Sequence, residues 1–310
     1  MKLKNNRITS EYFLNNSVKS ISEDLNNRKI KPEDLLEISS YKHSKYNPRF
    51  HFCESFRLPI INHNYNKTNL LNSIPFLAKD IYNTRDFLTE MGSNIWKGFS
   101  PGNNARIIDS LLDENAFLLG KTVTSEFAIH AKNKTLNPFN TNRKVGTSSS
   151  GSAVAVSVGT VPFALATQTA GSISRPSSFC GVFGLKPTYS LLPRTGILKT
   201  TDTLDNPGFI TSHFDSLKPI LDVIRVKGRN HPYVYKHIDN LNEKHTKTFR
   251  IGFIKTSCWE YASDFIKDNI IDLVEEISKN INYKIDEIPN QIILDDAHSV
   301  HDIIYNKCIS

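Results

Sequence analysis

Two loops concentrate the residues that could do chemistry. They are Gly146-Thr147-Ser148-Ser149-Ser150-Gly151-Ser152 and Thr167-Gln168-Thr169-Ala170-Gly171-Ser172-Ile173-Ser174-Arg175-Pro176, runs of small hydroxyl residues and glycine joined to apolar Ala, Val and Leu. A hydroxyl in such surroundings costs free energy unless it is hydrogen-bonded, so these serines point to a chemical task rather than to packing. Gly146 and Gly151 have the spacing of the outer glycines of a phosphate-binding loop, but Ser152 stands where that motif needs lysine, which counts against nucleotide binding. A flexible connector is the bland reading. It fits poorly with Ala153-Val154-Ala155-Val156, which follows at once and reads as a buried helix packed through small residues. Lys79 closes the apolar run Ile74-Pro75-Phe76-Leu77-Ala78, and an ammonium buried there is costly unless its pKa falls. For an isolated lysine, a side chain reaching back to water would be the simpler reading; the serine loops downstream reverse that preference.

Taken in chain order, Pro75-Phe76-Leu77-Ala78-Lys79-Asp80 and the two serine loops resemble the motifs of the amidase signature family. These are serine hydrolases of carboxamides that use a Ser–cis-Ser–Lys triad. The similarity continues in Gly120-Lys121-Thr122-Val123-Thr124-Ser125-Glu126-Phe127-Ala128, in Phe179 to Thr188 and in Arg250-Ile251-Gly252-Phe253, and so spans nearly the whole chain.

The resemblance implies that Ser172 is the nucleophile, that Ser148, 24 residues earlier, is the cis-serine, and that Lys79 is the general base acting through Ser148. It further implies a supporting role for Ser149, an oxyanion hole of the backbone N–H groups of Thr169, Ala170, Gly171 and Ser172, and a bracing role for Arg175. The family usually has glycine before the cis-serine; here Thr147 stands there. The Thr-Gln-Thr-Ala-Gly form of the second loop is similar to that of general amidases. Two other readings are kept, a glutaminase subunit of a tRNA-dependent amidotransferase and a non-catalytic fragment. The expected partner is a small-molecule amide, with no cofactor, metal, nucleic acid or membrane, and with room for a homodimer.

The elements that must position these residues follow from periodicity. Val18, Ile21 and Leu25, then Pro32 with Leu35, Leu36 and Ile38, predict two helices over 9–40, which in the resembling family lead to an Asn47-Pro48-Arg49 turn. A helix over 105–115, a strand at 117–119, a helix over 151–158 and a strand over 163–167 give a β-α-β pattern, placing Ser172 on the loop that leaves a strand's carboxyl end. Leu204-Asp205-Asn206-Pro207-Gly208 reads as a turn. Beyond it come a helix near 216–226, a strand at 250–255, a helix over 263–280, a strand near 283–288 and a last helical stretch from Ala297. The expected fold class is α/β, a mixed central β-sheet flanked by helices on both faces. It would form a single domain over 1–310, with 1–58 a helical N-terminal cover and 59–310 the catalytic core. A boundary, were there one, would fall in the charged 227–248 loop. Family members continue further, so the chain reads as cut short at its C-terminus, with an apolar patch left exposed beside the serine loops and 297–310 poorly packed.

Composition bounds the remaining classes. The 310 residues suffice for a large core, and 39% hydrophobic with 22% charged residues is ordinary for a globular protein. The net charge of +7 comes from scattered Lys and Arg, which reads as a solvated surface rather than a nucleic-acid patch. Cys53, Cys180, Cys258 and Cys308 lack metal-site or disulfide spacing, so a reducing compartment is the default. His130, His213, His298 and His301 share no ligand spacing, and Trp96 and Trp259 read as core or rim packing. No apolar run has signal-peptide or membrane-spanning length, and a cytoplasmic protein is expected.

Overall fold

Strict alternation along two neighbouring strands builds the core of the protein, seen here in a computed structural model. The structure describes residues 8–61, 69–129, 131–227, 248–280, 282–290 and 292–309. Along β2 (Pro75–Lys79) and β4 (Phe163–Gln168), Phe76, Ala78, Phe163 and Leu165 face one apolar cluster. Leu77, Ala164 and Ala166 face another, as a two-residue period requires. Both faces are therefore covered, which is why these strands read as apolar runs rather than alternating ones.

The sheet has six strands in the order β1-β3-β2-β4-β6-β5, where β1 is Cys53–Phe56, β3 Phe117–Thr122, β5 Phe183–Leu185 and β6 Asn206–Thr211. The central pairs β3/β2 and β2/β4 are parallel; β1/β3, β4/β6 and β6/β5 are antiparallel. One face carries α1 (Tyr12–Asn15), α2 (Val18–Asn26), α4 (Arg106–Asp113) and α7 (Leu217–Ile224). The other carries α5 (Ser150–Ser157), whose Ala153 to Val156 are wholly buried. The α/β expectation of a mixed sheet with helices on both faces therefore holds. The first helices are tied down by partners far along the chain, Val18 N–H to Ser216 Oγ at 3.0 Å and Ser212 Oγ to the carbonyl of Phe13 at 2.8 Å.

Two local expectations are corrected. Asn47-Pro48-Arg49 is not a turn: α3 runs over Pro32–Phe50 and contains Pro48 in its last turns. The lost amide bond is offset because Phe50 is buried and the Asn47 side chain receives the N–H of Cys53 at 2.9 Å, leading the chain directly into β1. Asn206-Pro207-Gly208 likewise does not turn but opens the buried strand β6. β5 ends at Leu185, opposite Phe209, so Pro207 lies where β6 has no second neighbour to claim an amide hydrogen. Gly208 is needed for its lack of a side chain, since a Cβ there would sit 2.2 Å from the carbonyl oxygen of Leu185.

The chain divides into two compact units, Met1–Val234 and Tyr235–Ser310. Most of the 227–248 loop lies outside the described residues. In the second unit, β7 (Phe249–Ile254) pairs in parallel with β8 (Tyr283–Ile288), with α8 (Asp264–Ser278) between them in sequence and α9 (Ile292–Ile309) after them. No residue of α8 is buried, and Phe265, Leu273, Val300 and Ile303 are exposed. Among the described residues no helix is long and apolar enough to cross a membrane.

Candidate active site

Strand β2 delivers Lys79 at its carboxyl end, where the side chain is fully buried. Its Nζ donates to Ser148 Oγ at 2.7 Å and to Thr167 Oγ1 at 2.9 Å. Burial brings the ammonium down from 10.5 to about 7, with the negative charge of Asp205 pulling the other way. An amine that loses its proton near neutrality can act as a base; one at its ordinary value would be charged throughout the physiological range.

The residue after it makes a different pair. Asp80 Oδ1 lies 3.3 Å from Lys121 Nζ, both buried, and Lys121 also donates to the carbonyl of Tyr82 at 2.6 Å and to Thr89 Oγ1 at 2.8 Å. Burial raises Asp80 to about 6 and lowers Lys121 to about 8, in each case against the attraction of the partner. This second buried lysine, on β3, clamps the segment after β2 that has to hold Lys79 in place. Its signal in the sequence is of the same kind as that of Lys79: a lysine ending an apolar run, Phe117-Leu118-Leu119-Gly120.

The two serine loops meet because Gly146 has no side chain. Its φ is +82°, and a Cβ there would lie 2.8 Å from the backbone of Pro176. The N–H of Ser149 donates to the carbonyl of Ser172 at 3.3 Å, and the N–H of Ser125 to that of Ser148 at 3.3 Å. The Thr147–Ser148 peptide is cis. Ser149 Oγ donates to the carbonyl of Thr167 at 3.1 Å, and Ser152 Oγ to that of Leu165 at 2.8 Å, so these loop hydroxyls are satisfied by β4.

Ser172 stands between β4 and α6 (Ser174–Phe179) and is 4% exposed. Among the described residues its hydroxyl makes no hydrogen bond, and the N–H groups of Ala170, Gly171 and Ser172 have no acceptor. The turn is bent by Gln168, whose Oε1 accepts the N–H groups of Ile173 at 2.8 Å and Ser174 at 2.9 Å. Arg175 lies along it: a Cβ on Gly171 would come 2.9 Å from the guanidinium. Thr169 Oγ1 donates to Asp205 Oδ1 at 2.6 Å. Lys79, Ser148, Ser149 and the turn carrying Ser172 are thus brought together, with the hydroxyl of Ser172 outside the bonded Lys79–Ser148 pair. Gln168, Thr167 and Asp205 join them; in the sequence Thr167 and Gln168 belong to the second chemistry-bearing stretch without a role of their own, and Asp205 belongs to an apparent turn.

The other candidates lie elsewhere. His213 Nε2 is 3.0 Å from the carbonyl of Leu14, His301 contacts Asp302 at 3.4 Å, and His298 Nε2 is 3.6 Å from Cys258 Sγ. His130 lies outside the described residues. Trp96 is 40% exposed and packs on Phe99, and Trp259 packs on Phe253.

Comparison with known proteins gives this geometry a context. A glutamyl-tRNA(Gln) amidotransferase subunit from Staphylococcus epidermidis is 34% identical over 229 residues, covering 70% of this chain and 47% of the relative. The subunit of the same name from Methanosarcina acetivorans is 38% identical over 160 residues, covering 50% of this chain and 34% of the relative. The chain spans about half the length of the curated relatives it matches. Among solved structures, the corresponding Thermotoga maritima subunit superposes with a TM-score of 0.77 at 23% identity, covering 98% of this chain and 66% of that one. The native peptide amidase of Stenotrophomonas maltophilia does so with a TM-score of 0.74 at 24% identity, covering 89% and 61%. At these identities the structural matches speak for the fold. The family model for amidases matches residues 60–295, a stretch that contains Lys79 and both serine loops, and the chain belongs to that family.

Proposed function

We propose that this site cleaves the C–N bond of a carboxamide through an acyl-enzyme on Ser172. The observation that carries the reading is the fully buried Lys79, 2.7 Å from Ser148 Oγ and with its pKa brought to about 7. An amide is a weak electrophile with a poor leaving group, so its cleavage needs an activated nucleophile, stabilisation of the oxyanion and a proton for the departing nitrogen. Neutral Lys79 takes a proton from Ser148 as Ser148 takes one from Ser172, whose oxygen forms the new bond to the carbonyl carbon. The negative charge that develops on the carbonyl oxygen faces the N–H groups of Thr169, Ala170, Gly171 and Ser172. On collapse the C–N bond breaks and the nitrogen leaves with the proton returned along Lys79 and Ser148. Water then repeats the sequence on the ester, freeing the acid and Ser172. Ser149 and Arg175 serve as supports, the first against β4 and the second along Gly171.

Labelling with a fluorophosphonate probe tests this. The adduct is expected on Ser172 and is expected to vanish in Ser172→Ala; an adduct on another serine removes Ser172 as the nucleophile, and no adduct at all leaves the reading of a non-catalytic fragment.

A second reading is favoured by the relatives, whose names describe one subunit of an amidotransferase. In that case the amide would be that of glutamine and the chain would work beside partner subunits. Ammonia release from glutamine, compared with release from simple carboxamides and with partner subunits present, separates the two. The Thr-Gln-Thr-Ala-Gly turn supports the first; the similarity over 229 residues supports the second.

A further inference from the structure

The turn before β6 wraps a single carboxylate. Asp205 Oδ2 accepts the N–H groups of Thr200 at 2.5 Å and Thr201 at 2.8 Å, and Oδ1 accepts the hydroxyls of Thr200 at 2.9 Å and Thr201 at 3.0 Å. The fifth donor comes from the other side, Thr169 Oγ1 at 2.6 Å. A surface turn needs one or two such bonds to close. This buried group has five, and one of them reaches the head of the Ser172 turn. Thr167, the acceptor of Lys79, and Thr169, the donor to Asp205, line the same cavity of 20 Å³, together with Asp205 itself.

We propose that Asp205 is a positioning residue that couples the two halves of the site. It ties Thr169 at the start of the turn that carries the oxyanion N–H groups, and it holds a negative charge on the Lys79–Thr167 side. The inference rests on the reading of Lys79 as the base and of Ser172 as the nucleophile. Around Lys79, β4 and the loop leading into α5 contribute Thr167, Ser148 and Ser149, which carry no charge. On β2 and β3, Asp80 and Lys121 are paired with one another, and on α6 the guanidinium of Arg175 lies along Gly171. Asp205 is the charge that opposes burial at Lys79. The role is indirect: through Thr169 it acts on where the oxyanion forms, and through its field on when Lys79 becomes neutral.

Two variants separate these effects. In protein labelled with ¹³C-lysine, the Cε resonance of Lys79, assigned by its loss in Lys79→Arg, reports the titration whether or not the protein turns over substrate. Asp205→Asn is expected to move the midpoint down by roughly 0.5 to 1 pH unit, a three- to tenfold loss of proton affinity. A folded variant with an unmoved or raised midpoint overturns the proposal. Thr169→Val cuts the other tie and keeps the charge: fluorophosphonate labelling of Ser172 should slow about tenfold with the Lys79 midpoint in place. Unchanged labelling there overturns the proposal, including in the case that Asp205→Asn does not fold. If the wild type is not labelled at all, the proposed function fails, and the midpoint shift alone decides the role of Asp205.

Discussion

Lys79→Met isolates the energetic consequence of burying the proposed base. Methionine has about the length of lysine and no charge, so it fills the same space in a wholly buried position. Two terms compete at pH 6. Burying a group with an ordinary value of 10.5 that titrates at about 7 in the folded protein costs, by linkage, on the order of 4–5 kcal/mol below pH 7. Removing it also forfeits the bonds to Ser148 and Thr167, at about 1 kcal/mol each and more where a hydroxyl is left unpaired. The absolute change is therefore the difference of similar quantities, and the discriminating quantity is the slope with pH.

The sign follows from the protons bound. Between about pH 7 and pH 10.5 the unfolded chain holds a proton on Lys79 that the folded chain has lost, so stability rises with pH over that window. From pH 6 to pH 9 this one group adds about 2.5 kcal/mol to the wild type. It adds nothing to Lys79→Met, while the other titrating groups are common to both and cancel in the comparison. Urea denaturation of both proteins at the two pH values should therefore show the methionine variant losing about 2.5 kcal/mol relative to the wild type as the pH rises. Parallel stability profiles would refute the reasoning, because they would mean that Lys79 keeps its proton in the folded state and cannot be the base.

Three further outcomes are expected. Labelling of Ser172 by the fluorophosphonate should rise with pH through a midpoint near 7 and level off above it, since the base must be neutral; a rate that falls across that range would exclude Lys79 from the relay. Ser172→Ala should abolish labelling yet change the stability by no more than about 0.5 kcal/mol, because its hydroxyl makes no hydrogen bond among the described residues; calorimetry showing a larger drop would give Ser172 a structural role. Lys121→Met should cost roughly 3–5 kcal/mol in a urea titration by stranding Asp80, and adding Asp80→Leu should recover much of it; no recovery would show that the pair is not what holds this segment.

What could be read in the sequence, and what could not, divides along the range of the forces involved. The strands and helices around the loops follow from local periodicity, and the sheet they form is the expected one. Asn206-Pro207-Gly208, by contrast, has all the letters of a turn. Its strand exists because β5 stops short of Pro207 and because Gly208 admits a neighbouring backbone, facts about residues some twenty positions away. The helical Pro48 is the same lesson in miniature, since its tolerance depends on the burial of Phe50 and on the bond from Cys53 to Asn47.

The site shows the division more sharply. Lys79 and the serines stand out because a charged or hydroxyl residue beside an apolar run conflicts with burial, and such a conflict is visible one residue at a time. Asp205 and Gln168 are far less visible in that way. They sit among letters that suit a loop, and although Lys121 ends an apolar run as Lys79 does, only folding brings Asp205 to Thr169, Gln168 to Ile173 and Lys121 to Asp80. A base near neutrality needs both kinds of residue. Burial depresses the lysine, and the hydrogen-bonded carboxylate of Asp205 pulls its proton affinity back up. On the proposed reading, the residue that does the chemistry is therefore legible as an exception in the sequence, whereas the residues that tune it are legible only as geometry.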